Sequence, residues 1–356
     1  MIFNIDKMMK RIKLVAAAVI SLMALCTTTV SAQSISGAGA TFPEPFYNAA
    51  FVKYGSLTSV KVSYGGIGSG GGIRSLKDQI VDFGASDAFL SDEEMKQMPA
   101  QVVHIPTCSG AVVVAFNLPG IKSIKLNTSA LVDIFAGKIS NWNDPTLKKL
   151  NPGVKFPNQK ITVVYRSDGS GTTNMFTDYL TKVSPFWKSK YGVGKTINWP
   201  TGIAAKGNPG VAGTINQTVG AIGYVGSEYA FAQHIASAMI QNRSGKYIKA
   251  SIASTSAACN SNIPSDTRVM LNNSPSANAY PIAGFTWILI YKEQNYAGRS
   301  SEQATATLKL LDWMMTANGG QAFTSKTNYA PLPTGIAAHC KKLLRQITYN
   351  GKPILR

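Results

Sequence analysis

Two periods of hydrophobicity alternate along this chain. Short runs dense in β-branched and aromatic residues predict strands at 60–64, 81–85, 102–106, 111–117, 161–165, 221–225 and 286–291. Between them apolar positions recur at helical spacing, as at 131–135, 175–183 and 304–317. Strands separated by helices need crossover connections, so the pattern predicts α/β layers around largely parallel sheets. Ser91-Asp92-Glu93-Glu94 adds a helix start, because Ser91 and Glu94 can each satisfy the other's free backbone N–H. No internal repeat interrupts this order. A stretch at about 241–279, rich in Ser, Asn and Pro, predicts an irregular excursion.

The first 32 residues depart from the alternation. Lys7, Lys10, Arg11 and Lys13 precede an apolar stretch from Leu14 to Cys26, too short to span a bilayer, and Val30-Ser31-Ala32 offers a small-residue cleavage site. The expectation is a signal peptide over residues 1–32, cut after Ala32, and a mature protein in the periplasm. A lipid-modified start at Cys26 fits less well, because Leu25 stands where a small residue is wanted. About 320 residues remain, enough for one large or two medium domains.

Charge and cysteine content narrow the partners. Without the leader, 31 Lys and Arg face 16 Asp and Glu, a net of +15, which favours anionic partners. The basic residues are scattered and no aromatic-interleaved basic run occurs, which argues against nucleic acid. Cys108, Cys259 and Cys340 allow at most one internal disulfide, and their spacing, like that of His104, His234 and His339, is unlike a metal site. No metal and no cofactor is expected.

Three segments crowd small residues and hydroxyls into turns beside strands and helices: Gly37-Ala38-Gly39-Ala40-Thr41-Phe42-Pro43, Gly66-Ile67-Gly68-Ser69-Gly70-Gly71-Gly72, and Arg166-Ser167-Asp168-Gly169-Ser170-Gly171-Thr172-Thr173. Glycines let the backbone approach a ligand closely, and free N–H groups at a helix start favour an anion. One such turn is commonplace; three in one chain, the last with an arginine, point to an anion site. Gly66, Gly68 and Gly71 fit a dinucleotide fingerprint, with Asp87 at a tolerable distance, but such a cofactor does not suit an exported protein. Gly194-Lys195-Thr196 resembles the end of a P-loop, yet Ser189 stands where its first glycine belongs, and G-x-S-x-G is absent.

Taken with 81–87, 135–139, 220–225 and 286–292, these segments make the chain resemble the periplasmic phosphate-binding proteins of high-affinity phosphate ABC transporters. The resemblance implies a two-lobe, type II-like periplasmic binding fold with a ligand cleft and hinge crossovers near Ala111 and Pro281. One lobe would then comprise residues 33–111 plus 281–356, and the other 112–280. It also implies a phosphate site formed by the Thr41 hydroxyl, the Phe42 backbone N–H, Ser69, Asp87, Arg166, Ser170, Gly171 and Thr172. Asp168 would steady the Arg166 fork. The implied partners are inorganic phosphate and an inner-membrane ABC permease, for a monomer that catalyses nothing.

Each residue also has a plainer reading. Asp87 could be a solvated carboxylate near a helix, Arg166 and Asp168 a surface ion pair, and Ser69, Ser170 and Thr172 helix caps. As a ligand, Asp87 makes chemical sense only for an anion that still carries a proton. Phosphate does near neutral pH and sulfate does not, so one acceptor would attract the first and repel the second. A secreted phosphatase and a matrix-binding protein that uses its +15 charge are the rival functions. The five tryptophans are assigned to packing.

Overall fold

A computed structural model describes residues 8–9, 33–259 and 262–356, so the apolar stretch and cleavage site of the expected leader lie outside the described residues. Residues 34–356 form a compact unit of their own. Its framework is a nine-stranded mixed sheet, curled across two lobes. The principal strands are β1 (Ser34–Gly39), β2 (Lys61–Gly66), β3 (Phe83–Ser86), β4 (Val102–Phe116), β5 (Thr162–Arg166), β6 (Ile203–Ala205), β7 (Ala221–Gly226) and β8 (Ala283–Tyr291), in spatial order β2-β1-β3-β8-β4-β7-β5-β6. The short strand Ala236–Ser237 pairs off this path with the end of β4. Within each lobe the outer strands run parallel, β2-β1-β3 on one side and β7-β5-β6 on the other. The two middle strands, β8 and β4, pair antiparallel with each other and with their outer neighbours, so the sheets are mixed rather than largely parallel.

Strand β4 joins the halves. It pairs with β8 from Val102 to Ala111 and with β7 from Val112 to Phe116. The hydrophobicity pattern divides it in two, because Thr107, Cys108, Ser109 and Gly110 interrupt the apolar run. In the fold those four residues are strand as well, since each polar group finds a partner. The Thr107 hydroxyl lies 2.8 Å from the Tyr47 hydroxyl, and Ser109 exchanges backbone bonds with Ala330. Gly110 leaves room for the Phe42 ring, 2.4 Å from where a Cβ would sit. Almost every β4 residue is buried, as expected of a strand covered on both faces.

Strand β1 carries too little β-branched or aromatic content to announce itself, yet it runs between β2 and β3. Its glycines are functional: the Phe83 ring occupies the space beside Gly37, and a Cβ on Gly39 would lie 2.0 Å from the Ala85 carbonyl oxygen. The capping box forms, with Glu94 N–H donating to Ser91 Oγ and Ser91 N–H to Glu94 Oε2. The region 241–279 is mostly irregular but contains a short strand at Tyr247–Ile248 and a helix at Ile252–Ala258. Cys108, Cys259 and Cys340 are all free and buried. Among the described residues no helix is long and apolar enough to cross a membrane, and no cluster of three or more potential metal ligands occurs.

Candidate anion-binding site

Four helices begin just beyond the carboxyl ends of parallel strands: Glu44–Thr58 after β1, Ser69–Lys77 after β2, Gly171–Val183 after β5 and Gly207–Gln217 after β6. That is where open α/β sheets hold ligands, because each helix start offers free N–H groups and a partial positive charge. Thr41 and Phe42 lie between β1 and its helix, Ser69 opens the second helix, and Asp87 follows β3. Arg166 ends β5, and Ser170 caps the third helix by accepting the Thr173 N–H at 3.0 Å. All eight residues that the resemblance implies are buried, and hydrogen bonds tie several together.

Ser69 is one such tie. Its Oγ accepts the Gly171 N–H at 3.0 Å and the Asp87 N–H at 3.3 Å. Gly70 N–H donates to the Gly169 carbonyl at 2.8 Å, so the second and third turns meet edge to edge. Gly171 has no space for a side chain: a Cβ would sit 2.6 Å from Ser69 Oγ and 2.7 Å from the Asp87 backbone. Phe42 divides its roles as expected of a core aromatic, with its ring packed edge-on against Tyr329 and its carbonyl accepting the Tyr329 hydroxyl.

Arg166 is almost wholly buried. Its Nε and Nη2 donate to the two Asp168 oxygens at 2.8 and 2.5 Å, and Nη1 reaches Thr172 Oγ1 at 3.4 Å. Asp168 therefore grips the Nε edge of the fork, which leaves one N–H on each terminal nitrogen for a ligand. Burial opposes the Asp168 charge, but Arg166 and the Gly207 N–H outweigh it and hold that carboxyl below its usual range.

Asp87 differs in kind. It is buried, and its Oδ1 accepts the Thr286 hydroxyl at 2.8 Å. Desolvation raises its pKa to about 7, against the opposing pull of Thr286, Arg166 and Thr172. A carboxyl poised there can share a proton with a ligand whose own ionisation falls in the same range. The solvated-carboxylate and surface-ion-pair readings of Asp87 and Arg166 do not survive this burial.

Sequence reasoning missed three contributors. Asn208 binds through every polar atom of its side chain: its backbone N–H and Nδ2 donate to Thr41 Oγ1 at 3.0 and 3.1 Å, Nδ2 also to Thr172 Oγ1 at 3.2 Å, and Oδ1 accepts the Gly226 N–H. The signal was available, because Lys206-Gly207-Asn208-Pro209-Gly210 is a fourth glycine-rich segment, at the point where a strand gives way to a helix. Tyr229 donates to the Thr41 carbonyl at 2.5 Å. Thr286 sits beside a register shift in β8 opposite Cys108. A β-bulge of this kind re-aims a side chain locally, which no hydrophobicity pattern reveals. Lys195, from the failed P-loop match, instead forms an ion pair with Glu94 at 2.6 Å.

Comparisons with known proteins identify the family. Residues 27–318 match the PBP superfamily domain. Phosphate-binding protein PstS of Pasteurella multocida is 39% identical over 310 residues, covering 86% of this chain and 88% of that protein. The protein of the same name from Haemophilus influenzae is 39% identical over 87% of this chain and 92% of its own. Two solved structures share the fold at 22% identity. One is a high-affinity periplasmic phosphate-binding protein (PfluDING) bound with phosphate, with a TM-score of 0.70 over 91% of this chain and 100% of that one. The other is a phosphate-binding protein from Stenotrophomonas maltophilia, with a TM-score of 0.67 over 87% of this chain and 93% of that one. The chain thus belongs to the phosphate-binding PstS family of solute-binding proteins, within the PBP superfamily.

Proposed function

We propose that the protein captures one inorganic phosphate ion between its lobes in the periplasm and hands it, chemically unchanged, to an inner-membrane phosphate ABC permease. Lobe one is taken as residues 33–111 plus 281–356 and lobe two as 112–280, with the hinge where β4 changes partners and near Pro281. Phosphate is bound by Thr41, Phe42, Ser69, Asp87, Arg166, Ser170, Gly171 and Thr172, with Asp168 holding Arg166. The observation that carries this reading is the pairing of a buried arginine fork with a buried carboxyl poised near neutral pH, surrounded by hydroxyls and helix starts. Arg166 supplies charge that any oxyanion would accept. Asp87 accepts a proton that only a partly protonated anion can offer.

The capture mechanism is a population shift. An anion that touches residues of both lobes stabilises their closed arrangement over the open one in proportion to its differential affinity. The leader over residues 1–32 would route the chain out of the cytoplasm before cleavage after Ala32. Titration calorimetry of residues 33–356 with phosphate and with sulfate tests the reading. One phosphate should bind per chain and sulfate hardly at all. Absence of phosphate binding, or equal binding of sulfate, would refute it.

A further inference from the structure

The positive charge of this protein is unevenly divided. Over residues 112–280 there are seventeen Lys and Arg against six Asp and Glu, a net of +11. The remaining residues from 33 onward carry fourteen against ten, a net of +4. Within 112–280 the acids are almost all engaged: Asp133 with Lys138, Asp168 with Arg166, Asp178 with Lys182 and Asp266 with Arg268. Of the other two, Glu228 is buried, where desolvation raises its pKa well above the usual range, and Asp144 caps a helix. Lys195 takes its partner, Glu94, from outside the segment. Among the described residues, twelve cations of the segment therefore have no acidic partner, and all twelve are exposed.

Several of them gather on one small structure. A three-stranded sheet orders Tyr247–Ile248, Met239–Gln241 and Lys125–Leu126 side by side. Lys125, Arg243, Lys246 and Lys249 project from it and its turn, and Lys125 Nζ lies 5.6 Å over the Tyr247 ring. Asn151 bonds both the N–H and the carbonyl of Lys125, which fixes the helix Pro145–Leu150, bearing Lys148 and Lys149, beside the sheet. Next to it a cavity of about 550 Å³ is lined by Lys122, Lys249 and His234 together with Ile121 and Phe231.

We propose that this face docks the protein on an anionic phospholipid surface, with headgroup phosphates as the recognised groups. The charges come from several elements, and apart from Lys122 and Lys249 at the cavity they are spread over exposed surface, which suits a fluid lipid surface better than a rigid partner. Lipids diffuse to meet cations wherever they lie, whereas an acidic protein must match a fixed pattern. A single-stranded nucleic acid would call for exposed rings on which bases stack, and the ring among these cations, Tyr247, is half-buried and faces Lys125. The attraction falls off within a Debye length, so the contact is reversible and sensitive to salt. It does not depend on the phosphate cleft.

Cosedimentation of residues 33–356 with phosphatidylcholine vesicles, with or without about a third phosphatidylglycerol, tests this. Binding is expected only to the anionic vesicles and should disappear at about 0.5 M salt. Changing Lys122, Lys125, Lys246 and Lys249 to Gln should weaken it by about tenfold or more, since each basic residue near the surface contributes separately. The same change at Lys77, Lys309, Lys326 and Lys352, exposed on the other half, should leave it nearly intact. Phosphate calorimetry on both variants confirms that they fold. Equal loss in the two variants, equal binding to neutral vesicles, or retention on single-stranded DNA without vesicle binding would each overturn the proposal.

Discussion

The two halves of the site approach an anion by different physics. The half built on β1, β2 and β3 offers hydroxyls, a backbone N–H and one carboxyl, and its net charge is only +4. The half built on β5 and β6 offers the Arg166 guanidinium and a capped helix start, in a segment with a net of +11. In the proposed site, attraction is thus concentrated on one side and discrimination on the other. Here Asp168 takes the pairing role, and Asp87 keeps a pKa of about 7.

Removing the attractive side should have the largest effect. Arg166→Ala is expected to weaken phosphate binding by tenfold to a hundredfold or more, since hydrogen bonds to charged groups are worth about 1.5–3 kcal/mol. Arg166 is buried and paired, so the loss also strands the Asp168 charge and should cost about 3–5 kcal/mol of stability. Calorimetry and chemical denaturation read the two effects separately. An unchanged dissociation constant would remove Arg166 from the site.

The discriminating side should show itself in a ratio rather than in an affinity. Asp87→Asn removes the charge and replaces one acceptor oxygen with an N–H₂ donor, so sulfate should gain and the phosphate-over-sulfate ratio should shrink on the order of tenfold. In the unaltered protein the same ratio should shrink as pH falls through about 7, because protonated Asp87 no longer repels sulfate. Its stability should change too. A carboxyl whose pKa is raised on folding stabilises the native state below about 4 and loses that contribution as pH rises through about 7. In Asp87→Asn both pH dependences should flatten. Competition titrations and melts at several pH values check this, and a ratio that does not move would disprove the discriminator role.

A smaller effect is expected where the halves are merely joined. Asn208→Ala strips the Gly226 N–H of its side-chain acceptor and takes one donor each from the Thr41 and Thr172 hydroxyls, at about 1–3 kcal/mol of stability. Phosphate affinity should fall by less than in Arg166→Ala. If it falls by as much, Asn208 belongs to the ligand contacts themselves.

What could be read from sequence follows the same division. Arg166, Ser170 and Thr172 were legible because their chemistry is local: a charged residue, glycines and hydroxyls within one turn. Thr286 was not, since its bond to Asp87 spans 199 positions and depends on a bulge in an apolar strand. Strand β1 escaped detection for the opposite reason. Ser34–Gly39 is chosen for how closely neighbours can approach it, and small residues carry no hydrophobic signature. The division of β4 into two strands came from polar residues whose partners, Tyr47 and Ala330, lie far along the chain.

The three buried thiols have a consequence for how such a chain must mature. Burial raises the pKa of each, Cys340 to about 12, so in the native protein they are poor nucleophiles and shielded from oxidants. In the periplasm, where the proposed function places the chain, the same thiols would be accessible before folding, and any pair could oxidise and leave an odd partner. Folding therefore competes with oxidation, and the protein is protected only once β4, which contains Cys108, is covered. That makes thiol labelling a built-in clock for global opening: reagent uptake should track the rate at which the core is exposed rather than the opening of the cleft.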